Sequence, residues 1–575
     1  MSASPDISTD ATVPGFATPI PSGREVCVTG QAVAPGIVIG PAYVLDRSVI
    51  SVPEAMVPLS AVDDEIKRLD AAVDRAVRQV EKLKAKALAL PTEAAEEVSV
   101  LMDAHLAILG GSRLIREART RIERDQLSAP WAVQQALGKI VEQFAHVDDP
   151  YIASRADDIR EVANRLIRNL VDAKFKAFSA VTPGSIVLAD EITPADTALM
   201  DPKRVCGFAS TVGGMQGHTA IMARSLGIPA VLGTPGLTAA VRTGETVILD
   251  GLSGRIVFRP TDSTLARYRQ RQAAHAVEQQ ELALVRDLPA VTRDGVAVGL
   301  HANLELPRDA AAAAAAGADG VGLLRSEFLY MNRSDLPDAD EQALAFEEVV
   351  TALGGKTVTI RTLDVGADKI ASALKPRFAD VTNPALGLRA IRLQLQEPDL
   401  LRTQLEAILR AGAFGPVRIL LPMIASVAEV VAARQALSAV AADLTERGVT
   451  IADPVPPLGA MIEIPGAALI ADQLAQHCDF LAIGTNDLVM YALAVDRGDE
   501  QVAHLYDPWH PAIRTLIERT VAGAAQAGIP VSVCGEIAGD PAFTAMLLAT
   551  GIRELSMSPG RLSAVKRQIR GLRVR

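Results

Sequence analysis

Positive charge is what this sequence is short of. Its 57 basic side chains against 68 acidic ones leave a net charge of −11, which argues against nucleic acid as the main partner, since phosphate binding needs a basic surface, and leaves basic residues to be sought as local clusters. Cysteine is scarce too: the four residues Cys27, Cys206, Cys478 and Cys534 are dispersed and show no metal-ligand spacing. That argues against a disulfide framework or a zinc site and for a reducing, cytoplasmic setting. No apolar run approaches the length of a membrane span, and the N-terminus lacks the basic-then-apolar order of a signal peptide, so no membrane insertion is expected. Aromatic residues make up only 3% of the chain, which together with its many aliphatic side chains suits an alanine-rich α/β protein. A chain of 575 residues is too long for one core and suggests two to four domains.

Order along the chain follows from hydrophobic period. Residues 1–28, rich in Ser, Thr, Pro and Ala, read as a disordered tail. From Gly30, short apolar runs around Pro35-Gly36 read as one or two strands. From about residue 55 the texture turns helical, with Val62, Ile66, Leu69, Val73, Ala76, Val80 and Leu83 at three- and four-residue spacing. Helical patterns continue through Val98, Leu101, His105 and Ile108, then Trp131 to Phe144, then Ile159 to Leu170. On that row His105 reads as a helix-packing histidine rather than a docking residue. Strand-like runs return at Ser185 to Ala189, Val205 to Ala209, Thr246 to Asp250 and Arg255 to Phe258. The simplest domain plan is an α/β domain (29–54 and 175–260) interrupted by a helical insert (55–174), followed by a helical linker (261–290). In 291–575, runs such as GVGLLRSEF, TVTIRTLD, VRILLPMI, LGAMIEI, FLAIGTND and VSVCGEI alternate with helical stretches, the mark of βα units. Nine candidates for eight places in a TIM barrel leave one, LGLRAI, as a loop or extra element.

Two stretches carry chemistry. In VCGFASTVGGMQGHTAIMARSLGIPAVLG (205–233) an apolar strand breaks at Gly213-Gly214 and delivers His218 to the start of a helix, a layout suited to an anion. There His218 is either a nucleophile toward a phosphoryl group or a polar helix cap. In the barrel, polar residues gather at the C-terminal ends of strands, where TIM-barrel sites lie: Arg325 and Glu327, Arg361 and Asp364, Arg389 and Arg392, Glu463, Asn486 and Asp487, Arg497, Cys534 and Glu536. Arginines concentrated there in an acidic chain point to a small polyanion, and Glu463 with Asp487 could hold Mg2+ through hard oxygen ligands. Singly, each of these is equally a charged side chain in a solvated loop.

The segment GGMQGHTAIMAR followed by IPAVLG, with RSEFLYM, IRTLDVGADK, NPALGLRAIR, Glu463-Ile464-Pro465, GTNDLVMYALAVDRG and CGEIAGD in order, resembles Enzyme I of the bacterial sugar phosphotransferase system over residues 30–570. The resemblance implies a swivelling phosphohistidine α/β domain with an inserted helical subdomain, then a (β/α)8 barrel. It implies that His218 takes the phosphoryl group of phosphoenolpyruvate and passes it to a histidine of the phosphocarrier HPr docked on the insert. Arg325, Arg361, Arg389, Arg497 and Asn486 would bind phosphoenolpyruvate, Glu463 and Asp487 would bind Mg2+, and Cys534 would protonate the enolpyruvate. A homodimer through the barrels is implied as well. Departures are Gln216-Gly217 for the usual Thr-Ser, Ala367 for Gly, Thr382 for Glu and Val489-Met490 for Thr-Gln. Rival readings are a dikinase, disfavoured because there is no room for an ATP-binding domain and no Gly-rich phosphate loop, and a regulatory or nitrogen-type relative. The sensory domain of the nitrogen-regulatory branch would not fit in about 28 residues, while Gln216-Gly217 leaves a regulatory relative open and a nitrogen-type acceptor stays an alternative.

Overall fold

The computed structural model describes residues 24–45, 52–87, 92–144, 150–171, 181–192, 196–197, 200–214, 218–331, 333, 335–365, 383, 385–496 and 502–574. The chain divides into two compact units, Met1–Val277 and Glu278–Arg575.

The first unit combines an eight-stranded sheet with an inserted block of helices and the helix His218–Leu226. Its strands are β1 (Val26–Thr29), β2 (Gln31–Ala34), β3 (Ile37–Leu45), β4 (Ser185–Ala189), β5 (Val205–Ser210), β6 (Ala230–Leu232), β7 (Thr246–Asp250) and β8 (Arg255–Phe258), in spatial order β1-β8-β7-β3-β4-β5-β6-β2. The nine-residue β3 joins its two halves, pairing antiparallel with β7 and parallel with β4. Every residue of β4 is buried, as expected of a central strand covered on both faces. One expectation is corrected here. The N-terminal tail was to run to residue 28, but Val26-Cys27-Val28-Thr29 pairs antiparallel with β8, because its short β-branched alternation is enough to extend an existing edge. Residues 1–23 lie outside the described residues.

Between β3 and β4 stand α1 (Val62–Ala87), α2 (Thr92–Leu109), α3 (Arg113–Asp125), α4 (Ala129–Phe144) and α5 (Pro150–Leu170). Their shared core includes Leu69, Ala76, Val80, Met102, Leu114, Ile122, Val133 and Leu166. Three- and four-residue spacing puts these side chains on one stripe of each helix, and burying that stripe holds the helices together. Helix α3 has no counterpart in the sequence reading, since its apolar positions Leu114, Ile115, Ala118 and Ile122 are few among many charges. The same core takes in Met222 and, at its edge, Leu226, both from the helix His218–Leu226. The insert and the segment that starts at His218 are therefore packed as one piece.

After the helix Asp262–Val285, the second unit closes a parallel barrel from β9 (Gly299–Leu304), β10 (Val321–Leu324), β11 (Val358–Arg361), β12 (Val417–Leu421), β13 (Leu458–Ile462), β14 (Phe480–Ile483), β15 (Val531–Val533) and β16 (Glu554–Met557). The extra candidate LGLRAI is no strand: it forms a turn leading into the helix Ala390–Gln396. Inside the barrel Leu323, Leu420, Met461, Phe480, Ala482 and Cys534 form their own packed layer. They fill the lumen below the mouth, so the barrel encloses a packed core rather than a channel. Among the described residues no helix is long and apolar enough to cross a membrane.

Candidate active site

Strand β5 ends at Ser210, and its hydroxyl turns back to donate to the Val212 carbonyl at 2.5 Å. Gly213 follows at φ +122°, a backbone conformation open to glycine and strained for other residues. The helix then begins at His218, and Thr219 fixes its first turn by donating to the Ile192 carbonyl at 2.7 Å. His218 thus stands at a helix N-terminus behind a glycine turn, where unpaired N–H groups and the helix dipole favour an anion. Gln216 and Gly217 lie outside the described residues.

At the C-terminal ends of β10 to β15 the barrel gathers a dense charged group. Arg361, the last residue of β11, is 9% exposed. Its guanidinium pairs with Glu327 from the turn after β10 and, at 2.9 Å, with Asp364. Arg389 donates to the same Asp364 through Nε and Nη2, at 3.1 and 2.8 Å, and its Nη2 lies 3.5 Å from Asp487. Burial opposes both cations, yet neighbouring carboxylates raise both guanidinium pKa values, Glu327 and Asp364 for Arg361 and Asp364 then Asp487 for Arg389. Burial likewise opposes the Asp364 anion, but Arg361 and Arg389 hold its carboxyl below the usual range. The residue after Arg389, Ala390, sits at φ +54°. A left-handed non-glycine backbone costs energy and persists where the surroundings impose it.

Glu463 follows β13 and is 2% exposed. Its Oε1 accepts the Met423 N–H at 2.6 Å, and Met423 is itself at φ +56°. Burial, then the negative charges of Asp364 and Asp487, push the Glu463 carboxyl up to about 8. Asn486 is fixed from both ends of its amide: Nδ2 donates to Glu536 at 3.1 Å and Oδ1 accepts the Glu536 N–H at 2.8 Å. Cys534 directly follows β15 inside the lumen, and burial, reinforced by the charge of Glu463, pushes its thiol up to about 12. It therefore keeps its proton at neutral pH. Arg325 is more exposed and pairs with Glu305 at 2.6 Å. Arg392 is turned to the Leu386 carbonyl at 3.1 Å, apart from this group, and Arg497 lies outside the described residues.

Sequence reasoning missed Tyr491, whose hydroxyl accepts from Arg389 at 3.3 Å and donates to the Ala385 carbonyl at 2.6 Å. The signal was present: Tyr491 is four residues beyond Asp487 on the helix Thr485–Leu493, hence on the same face. Glu305 and Met423 were missed as well, since nothing in their local sequence marks them.

The donor set suits Mg2+. Among the described residues no group of three or more His, Cys, Asp or Glu side chains forms a cage for a metal ion, but Mg2+ usually takes one or two carboxylates and fills its shell with water and substrate phosphate. Glu463 and Asp487 offer two hard oxygen donors, and the crowding that pushes the Glu463 carboxyl up is what a cation would relieve.

Residues 279–574 match the PEP-binding domain of PEP-utilising enzymes, residues 29–155 their N-terminal domain, and residues 181–254 their mobile domain. The phosphoenolpyruvate-protein phosphotransferase of Cupriavidus necator H16 is 44% identical over 94% of this chain and 93% of its own length. That of Geobacillus stearothermophilus is 40% identical over 96% of this chain and 94% of its own. A solution structure of an Enzyme I protein is 34% identical, covers 43% of this chain and 99% of its own, and superposes with a TM-score of 0.38.

Proposed function

The chain belongs to the phosphoenolpyruvate-protein phosphotransferases, enzymes that use phosphoenolpyruvate, and from that premise we propose how its residues divide the reaction. Phosphoenolpyruvate binds at the barrel mouth, its carboxylate and phosphate shared among Arg325, Arg361, Arg389 and Arg497 with Asn486 beside them. One observation carries this reading above the others: Arg361 and Arg389 are both fixed by the same buried Asp364. Two forked cations held at a set spacing match the two anionic ends of a small substrate.

A neutral nitrogen of His218 attacks the phosphorus in line. The N–P bond forms as the P–O bond to the enolate breaks, and the enolate methylene carbon takes the proton of the Cys534 thiol, giving pyruvate. Burial supports that assignment, because a thiol whose pKa is pushed up to about 12 is protonated when the enolate forms and becomes an acid only toward a strong carbon base. The arginines neutralise charge on the phosphoryl oxygens without rearranging, since their ion pairs already orient them. Glu463 and Asp487 would hold Mg2+, which when bound offsets negative charge on the phosphoryl group.

The second half-reaction passes the phosphoryl group from His218 to a histidine of an HPr-like phosphocarrier docked on α1–α5. The shared core of insert and His218 helix supports it, because an acceptor seated on those helices is carried with the donor. We read the protein as a cytoplasmic homodimer in a sugar phosphotransferase system, on the strength of the family.

Isotope exchange between labelled pyruvate and phosphoenolpyruvate tests the first half-reaction with no acceptor present. Wild type should catalyse the exchange and His218→Ala should not. Exchange that persists in His218→Ala would move the phosphoryl group to another residue. Phosphoenolpyruvate binding without exchange in wild type would make the protein a regulatory relative.

A further inference from the structure

Behind the charged mouth runs a row of polar side chains that solvent does not reach. Tyr330, Gln342, Gln394 and Gln404 are all at most 1% exposed. They sit where the helices Ala339–Ala352 and Pro398–Ala411 otherwise pack Phe346, Val349, Val350, Leu405 and Ile408. Uncharged amides in such a seam cost desolvation and must be hydrogen-bonded to be tolerated, while aliphatic residues of the same volume would pack without that demand.

What these amides hold is the barrel mouth. The Gln404 Oε1 accepts the backbone N–H of Leu363 at 2.7 Å, at the point where the chain leaves β11 between Arg361 and Asp364. The same oxygen accepts from Gln394 at 3.0 Å, on the short helix whose N-cap is Arg389. On its other side the Gln404 amide nitrogen donates to Gln342 at 3.4 Å, and Gln342 accepts the Tyr330 hydroxyl at 3.3 Å. Tyr330 closes the turn Glu327–Tyr330, which presents Glu327 to Arg361. One amide therefore ties together the three segments that carry Glu327, the Arg361 and Asp364 pair, and Arg389.

We infer that Gln404 is a positioning residue for the phosphotransfer: it never touches substrate, but sets the spacing of Arg361 and Arg389 around Asp364 by pinning the Leu363 peptide and the Arg389 helix to one point. Misplacement by a fraction of a bond length at groups that bind a transferring phosphoryl is expensive in rate. The inference rests on the reading of the barrel mouth as the phosphoenolpyruvate site.

Gln404→Met keeps the length and volume of the side chain and removes both its acceptor and its donor. In steady-state assays its KM for phosphoenolpyruvate, which does not depend on the folded fraction, should rise about tenfold, while the melting temperature falls modestly because the buried Leu363 N–H and Gln394 amide lose their acceptor. Gln342→Met, which cuts the outer link and leaves the Leu363 bond, should raise KM by less. Gln404→Glu supplies an independent reading should the methionine variant fold poorly. Its neutral acid form can accept from Leu363 and donate to Gln342, whereas its anion can do only the first, so its KM should climb with pH relative to wild type. A wild-type KM in every folded Gln404 variant, with any loss of rate tracking loss of folded protein, would overturn the inference and leave the row a packing device. Arg361→Lys separates the two levels: if it too binds phosphoenolpyruvate normally, the site reading has failed and the Gln404 inference falls with it. If Arg361→Lys is impaired and the folded Gln404 variants are not, the inference alone has failed.

Discussion

Replacing Arg361 by lysine keeps one positive charge in the mouth and removes the fork. In the native site Nη2 serves Glu327 and Nη1 serves Asp364 at 2.9 Å. A lysine ammonium is a single centre and cannot span both carboxylates while also donating to a phosphate. Losing one hydrogen bond to a charged group costs about 1.5–3 kcal/mol, and at 1.4 kcal/mol per decade that is a fall in kcat/KM of roughly 10- to 150-fold. The fold should tolerate the change, because Glu327 and Asp364 keep a cation. Arg361→Met is the contrast. It leaves buried carboxylates with one cation fewer, a loss of about 3–5 kcal/mol that should lower the melting temperature by roughly 5–15 °C. Coupled pyruvate release gives kcat/KM, and thermal unfolding gives stability. A lysine variant with wild-type kcat/KM would show that Arg361 serves only to pair its carboxylates, and the substrate-binding role would have to be abandoned.

Cys534→Ala should bind phosphoenolpyruvate normally yet slow pyruvate formation about 10²- to 10⁴-fold, the usual range for a positioned proton donor; since the thiol is pushed up to about 12, any alkaline fall in wild-type rate below pH 10 must come from another group. Glu463→Gln should raise the Mg2+ concentration needed for half-maximal rate at least about tenfold while leaving the melting temperature in chelator unchanged or higher, because it removes a buried charge that Asp364 and Asp487 oppose; unchanged Mg2+ dependence would clear Glu463 as a ligand. His105 is fully buried, its ring nitrogen 3.9 Å from Asp158 and 4.0 Å from Glu161, and burial, then the charge of Arg165, depress its pKa to about 4. The unfolded chain therefore takes up a proton at higher pH than the native one, and stability should fall by up to about 3 kcal/mol as pH drops from 6.5 to 4. The melting temperature of the first unit's transition should fall with acid across that range in wild type and fall less in His105→Leu.

The barrel was legible because its strands are short apolar runs, several of them ending in or followed by a charged residue such as Arg325, Arg361 or Glu463, and the surplus run was settled by context: LGLRAI has strand-like composition, but it enters a helix through left-handed Ala390. In the first unit the runs at 185–189, 246–250 and 255–258 became strands, whereas the three-residue β6 and the tail strand β1 depend on partners distant in sequence and leave little local trace. The burial of His105 followed from its place on an apolar helical row. The charged mouth was legible as a set of residue types and not as a network. That Arg361 and Arg389 would share Asp364, or that a glutamine on an outer helix would hold the Leu363 peptide, depends on contacts across 25 to 41 positions in sequence that no local pattern encodes.

The measurement that bears most directly on the account is phosphoryl transfer from radiolabelled phosphoenolpyruvate to the purified protein with Mg2+, followed by acid and alkali treatment and peptide mapping. The label is expected to be acid-labile and alkali-stable, to map to the peptide containing His218, and to be absent from His218→Ala. Label that survives acid, or that persists in His218→Ala, would contradict it.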